Sequence, residues 1–181
     1  MNMAKQKAVS GRKPEVAVVM GSDSDWPLLE ETVATLTRFG VVSEVRVMSA
    51  HRTPDLAASF ARKAAGQGVK VIIAAAGGAA HLAGVICAHT TLPVIGIPVT
   101  SSFMDGLDSL LSTVQMPAGV PVATVAVGKA GAVNAAILAV QILALSQPDL
   151  ARQLVVHKQV LMDKVNAGND RVQDEIAKKA R

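Results

Sequence analysis

Residues 16–25 read Val16-Ala17-Val18-Val19-Met20-Gly21-Ser22-Asp23-Ser24-Asp25, and Trp26-Pro27 follow. Five apolar residues in unbroken succession fit a strand buried on both faces better than one with a wet side. Gly21 to Asp25 makes a small polar loop. Ser24 or Asp25 can cap a helix at its end, and Pro27 falls in the first turn, where a missing N–H costs nothing. That helix is expected to stop at Gly40.

The same phrase of apolar run, polar loop and helix recurs along the chain. A second run near Val42–Met48 ends in Ser49-Ala50-His51-Arg52-Thr53-Pro54. Thr53 as N-cap and Pro54 as first helical residue predict a helix to about Gly66 or Gly68. The third run is Val69–Ala76, followed by Gly77-Gly78 and a helix through His89. The fourth is Val94–Val99, with a longer loop and a helix over Asp108–Val114. The fifth is Val122–Val127, followed by Gly128-Lys129 and a helix to Leu145. Pro148 breaks this helix, and Asp149–Lys179 reads as a helical arm.

Short apolar strands alternating with helices predict an α/β fold of three layers, a doubly wound parallel sheet with right-handed crossovers. Five strands fit the flavodoxin-like order 2-1-3-4-5. That order puts a ligand crevice at the carboxyl ends of strands 1 and 3, beside the loop after strand 2. Gly21–Asp25, Ser49–Thr53 and Gly77–His81 then converge. The expected organisation is a disordered basic tail over 1–14, one α/β domain over 15–148 and a C-terminal helical arm over 149–181.

Composition narrows the function. Half of the 181 residues are hydrophobic, yet only Trp26, Phe39, Phe60 and Phe103 are aromatic. The core must be aliphatic, as a sheet covered on both faces requires. The net charge is +4, but its position matters. Residues 1–14 carry four Lys/Arg and no acid, 15–150 carry seven against ten, and 151–181 carry seven against four. The basic charge sits in the tails, and there is little aromatic surface to stack bases, so nucleic acid is not the expected partner. Cys87 is the single cysteine, excludes an internal disulfide and reads as a small core residue. Residues 1–14 lack the apolar stretch of a secretory signal. Ala130–Leu145 is too short for a membrane span and carries Asn134 and Gln141. A soluble cytoplasmic protein is expected.

Several chemistries lack their residues. No G-x-G-x-x-G follows strand 1, and no G-x-S-x-G elbow exists. Gly128-Lys129 has Ala130 where a P-loop needs Ser or Thr, and Ala123 in place of its first Gly. His51, His81, His89 and His157 show no metal-site spacing with carboxylates. A receiver-like phosphorylation module would use Asp23, Asp25, Thr100 and Lys129, but strand 3 ends in Ala74-Ala75-Ala76 where its phosphoacceptor carboxylate belongs.

What remains is one imidazole, one guanidinium, hydroxyls and one or two carboxylates. Arg52 and Ser22 can hold a phosphate, the arginine through its fork of donors. Asp25 can accept hydrogen bonds from ribose hydroxyls. His51 alone can give and take a proton near neutral pH. Gly77-Gly78-Ala79-Ala80 lets backbone N–H groups approach a flat ligand or a small carboxylate. From spacing alone, each of these residues serves as well for a helix cap or a solvated loop position.

Their wording separates the two. Gly21-Ser22-Asp23-Ser24-Asp25-Trp26, Ser49-Ala50-His51-Arg52-Thr53-Pro54, Gly77-Gly78-Ala79-Ala80-His81-Leu82 and Asp108-Ser109-Leu110-Leu111-Ser112, with Val114-Gln115-Met116-Pro117 after it, resemble the PurE family. The similarity runs from about Val16 to Leu145. Its members are mutases, which isomerise N5-carboxyaminoimidazole ribonucleotide to the 4-carboxy isomer, or carboxylases, which use free carbon dioxide. Arg52 and the Gly-Gly-Ala-Ala-His-Leu loop look like the mutase class.

The resemblance implies His51 as acid/base and Ser22, Asp25, Ser49, Arg52 and the backbone of Gly77, Gly78 and Ala79 as substrate-binding groups. It leaves His81 between a structural and a catalytic role. It implies no cofactor and no metal, an aminoimidazole ribonucleotide as substrate, and a homo-octamer. The sequence adds its own reason for an oligomer, since Ala130–Leu145 is apolar nearly all round and carries Ala132, Ala135, Ala136, Ala139 and Ala144 for close helix contact. Ala75 and Ala83 stand where the family has Gly and Pro, and Ser102-Phe103-Met104-Asp105 departs from its usual wording.

Overall fold

A computed structural model describes residues 12–179. Most of the expected basic tail over 1–14 lies outside the described residues. Five parallel strands stand in the order β2-β1-β3-β4-β5: β1 Val16–Met20, β2 Ser43–Val47, β3 Val71–Gly77, β4 Val94–Val99 and β5 Ala123–Thr124. The expected order therefore holds. Helices α1 Trp26–Arg38, α2 Pro54–Ala64, α3 Leu82–Cys87, α4 Leu107–Val114 and α5 Gly128–Ala144 follow the strands in turn, and α6 Pro148–Lys179 ends the chain. By its internal contacts the backbone divides into two compact units, one reaching to Ile142 and the other starting at Leu143.

The sheet is covered on both faces, which is why its central strands need no polar alternation. On one face Ala17, Val19, Ile72 and Ala74 pack with Phe60, Ala61 and Ala64 of α2 and Leu82, Ala83 and Ile86 of α3. Gly96 of β4 also faces this side, with Thr113 of α4 over it. On the other face α1 and α5 lie together, joined where Thr32 Oγ1 donates to the Ala132 carbonyl at 2.9 Å. Ile97 of β4 points at Gly131 on that side.

Three local expectations differ from the structure. The carboxylate of Asp25 makes no capping bond to α1; instead Ser22 caps a short 3₁₀ turn over Asp23–Asp25 by accepting the Ser24 N–H. β5 is two residues long, because the Val125 N–H still reaches the Gly96 carbonyl but the chain then turns into α5. Of the five α5 alanines expected to meet another molecule, Ala132, Ala135, Ala136 and Ala139 are buried within the chain and Ala144 is half-buried. Pro148 does interrupt the helical run, and it does so as the first residue of α6.

The parallel register brings the site together. Met20 lies beside Val47 and Ala75, so β1, β2 and β3 release their loops at one level. The Gly21 N–H continues the ladder to the Ala75 carbonyl at 3.1 Å, and the Met48 N–H does so to the Met20 carbonyl at 2.9 Å. All three loops thus start from hydrogen-bonded strand ends.

Candidate active site

The three loops enclose a cavity of about 400 Å³ lined by Gly21, Ser22, Ser24, Asp25, Ser49, Ala50, His51, Arg52, Ala76, Gly77, Ala79, His81 and Leu82. Seven of the eight residues singled out in the sequence line it. The eighth, Gly78, is turned away, and its N–H donates to Ser109 Oγ at 2.8 Å. It is therefore not a free donor for a ligand.

The loop after β2 is held by its own hydroxyls. Ser49 Oγ accepts the N–H groups of His51 and Arg52 at 3.3 and 3.2 Å. Thr53 Oγ1 closes the turn by donating to the Ser49 carbonyl and accepting the Ser49 N–H. Side-chain oxygens of this kind substitute for backbone partners in tight turns. Arg52 reaches across to the first loop, where Nη2 donates to the Gly21 carbonyl at 2.9 Å. This tether places the guanidinium beside Ser22, and four of its five N–H donors remain for other partners.

His51 meets His81 across the cavity, Nε2 to Nδ1 at 2.8 Å, with the rings edge to face. One nitrogen must donate and the other accept, so the pair shares a proton between them. The sequence left His81 undecided; the structure puts it in contact with His51. No spacing rule reveals this, because the two are 30 residues apart and meet only through the crossover of the sheet.

Asp25 is the one carboxylate among the described residues that line the cavity. Burial pushes its pKa above the ordinary value, against hydrogen bonds from the Ser22 backbone and the Ser24 side chain that pull it down. β3 ends at the cavity in Ala75, Ala76 and Gly77, so no phosphoacceptor stands there. Among the described residues no cluster of three or more His, Cys, Asp or Glu side chains is placed to hold a metal ion.

Comparison with known proteins gives this geometry its context. The sequence model of AIR carboxylase matches residues 15–164. The chain belongs to the AIR carboxylase family. Within the family it is 54% identical over 164 residues to the N5-carboxyaminoimidazole ribonucleotide mutase of Mycobacterium tuberculosis, covering 91% of this chain and 93% of that one. It is 56% identical over 142 residues to the mutase of the same name from Bacillus subtilis, covering 78% and 88%. The crystal structure of Treponema denticola PurE superposes with a TM-score of 0.79 at 26% identity, covering 88% of this chain and 98% of that one. The AIR carboxylase family match begins one residue before β1 and runs into α6, so it takes in every loop of the cavity.

Proposed function

We propose that this chain is an N5-carboxyaminoimidazole ribonucleotide mutase of purine biosynthesis, with His51 as its proton shuttle. The observation that carries the reading is the meeting of His51, Arg52, Ser22 and Asp25 in one cavity, in a chain 54% identical to a mutase along most of its length. Arg52 and Ser22 hold the substrate phosphate, Asp25 accepts hydrogen bonds from the ribose, and Ser49 lines the pocket behind the reacting imidazole. The backbone of Gly77 and Ala79 borders the carboxyl group.

The reaction needs one proton moved twice. His51 as imidazolium protonates the exocyclic nitrogen as its bond to the carboxyl carbon breaks, releasing carbon dioxide within the site. C4 of the electron-rich imidazole attacks that carbon dioxide, and neutral His51 takes the C4 proton as the aromatic ring is restored. The proton given equals the proton recovered, so the written reaction consumes no metal, nucleotide or redox cofactor. Water must be kept out while carbon dioxide is free, and the small residues Ala76, Gly77 and Ala79 let the substrate pack against the loop backbone and fill that space itself.

The enzyme is further proposed to work in the cytoplasm as a homo-oligomer, an octamer by resemblance to its family. No described helix is long and apolar enough to cross a membrane. An exposed apolar row on α4, consisting of Leu107, Leu111 and Val114 with Phe103 and Met104 ahead of it, supports the association.

Incubation of the protein with each carboxylated isomer in bicarbonate-free buffer tests the activity. Interconversion of the two is expected. Turnover that appears only with aminoimidazole ribonucleotide and added bicarbonate would make the chain a carboxylase that uses free carbon dioxide.

A further inference from the structure

We propose that Ser109, assisted by Ser112, is a positioning residue for the carboxyl shift, acting through Gly78. The proposal rests on the mutase reading of the site and adds a residue outside the cavity. α4 presents Ser109 and Ser112 three residues apart, hence on one face, and that face meets the loop after β3. Ser109 is fully buried, and its Oγ accepts the Gly78 N–H at 2.8 Å. Ser112 Oγ lies 3.3 Å from the Gly78 carbonyl but 2.7 Å from the carbonyl of Asp108, and its single proton favours the nearer acceptor. Ser109 is therefore the main arm of the clamp and Ser112 the weaker one.

The hydroxyl of Ser109 is itself oriented. Its O–H faces Asp108 Oδ1 at 3.5 Å, and the same carboxylate oxygen lies 2.7 Å from Ser101 Oγ, whose single proton is shared with the Phe103 carbonyl at 2.5 Å. With the proton directed at an anion, the lone pairs of Ser109 are left for the Gly78 N–H. Gly78 has φ +63°, although nothing would obstruct a Cβ there. A left-handed residue with open space around it is held by its hydrogen bonds and not by packing.

The clamp bears on the chemistry through a short path. Gly77 and Ala79 flank Gly78 and line the cavity. The His81 N–H donates to the Ala79 carbonyl at 2.8 Å, and the His81 ring touches His51. Releasing Gly78 should displace both the wall beside the carboxyl group and the partner of the proton shuttle. The phosphate and ribose groups sit on the loops after β1 and β2, and none of Ser22, Asp25 or Arg52 bonds to α4. Ser109 should thus govern turnover and retention of carbon dioxide while substrate affinity stays nearly unchanged.

The test compares wild type, Ser109→Ala and Ser112→Ala on N5-carboxyaminoimidazole ribonucleotide, following substrate lost, 4-carboxy isomer formed and aminoimidazole ribonucleotide released, with the uncatalysed loss subtracted. Ser109→Ala should lower kcat about 10- to 100-fold with KM within about threefold, the order of loss expected from misplacement near the reacting atoms. It should also divert consumed substrate from the isomer to the decarboxylated product. Ser112→Ala should shift both readouts in the same direction by a smaller factor, and it decides the matter if Ser109→Ala does not fold. Folded variants with wild-type kcat and wild-type yield of isomer would overturn the role, as would a raised KM at unchanged kcat. A wild type that fails to interconvert the isomers overturns the mutase reading and the Ser109 role with it.

Discussion

His51 and Asp25 carry opposite demands. His51 must change protonation state during each turnover, whereas Asp25 must remain an acceptor. His51→Ala removes the group that serves both half-reactions, so the loss should fall in the upper part of the roughly 10²–10⁴-fold range typical of acid–base catalysis. Substrate should still bind, because Arg52 is anchored by its own bond to the Gly21 carbonyl. Steady-state kinetics and a binding isotherm check both statements; a variant with a third of wild-type turnover would remove His51 from the mechanism. Asp25 gives a pH prediction. Its pKa in the fold is raised by burial above the ordinary 3.8, so between those values the native state binds more protons than the unfolded chain. The stability this contributes is present below 3.8 and is lost as pH rises through the folded value. Asp25→Asn has no such charge to desolvate. Its Tm relative to wild type should therefore be higher at pH 7 than at pH 3, and the reverse order in thermal melts would contradict the assignment.

Strands and helices were legible in the sequence where their signal was local. Val16–Met20 and Val94–Val99 have the bounds that the sequence gives them, because an unbroken apolar run needs only to be read. Val122–Val127 shrank to Ala123–Thr124, because a strand paired on one side alone ends where that pairing ends. The convergence of three loops was legible, since strand order alone decides it. The contacts of His81 with His51 and of Ser109 with Gly78 were not, because each depends on how a helix seats on the sheet. That Gly78 points away from the cavity follows from the second contact and was equally out of reach. One seating predicts a measurable effect. A Cβ on Gly131 would stand 1.7 Å from the Ala126 carbonyl oxygen, a backbone atom that cannot move without unseating the start of α5. A Cβ on Gly84 would meet the Met116 thioether at 2.9 Å, the far end of a flexible side chain. Gly131→Ala should destabilise by at least the roughly 1–3 kcal/mol of ordinary overpacking, and Gly84→Ala by less. Equal midpoints in urea titration would show that the β5–α5 turn yields more easily than its geometry implies.

For the whole molecule the question is what covers its apolar surface. The sequence placed the driving force for assembly in α5, but four of the five alanines named there, Ala132, Ala135, Ala136 and Ala139, are buried within the chain, and Ala144 is half-buried. The exposed apolar side chains lie elsewhere. On α4, Leu107, Leu111 and Val114 recur at helical spacing, and Phe103, 66% exposed, precedes them with Met104. On α6, Val155, Val156, Val160, Leu161, Met162 and Val165 are exposed, and Val172 and Ile176 extend the apolar positions toward the end of the helix. α6 is 32 residues long, and most helical stability in proteins comes from packing an apolar face. Covering such area at about 25 cal/mol per Å² favours association, against an entropy of several kcal/mol per binding event. Light scattering at micromolar concentration should accordingly find a homo-oligomer whose Tm rises with protein concentration. Removal of residues 149–181 should lower the mass at which the protein scatters while the far-ultraviolet signal of the sheet domain persists, because every strand and every loop of the cavity lies before residue 143. A full-length monomer with undiminished turnover would leave both apolar rows without a function in assembly.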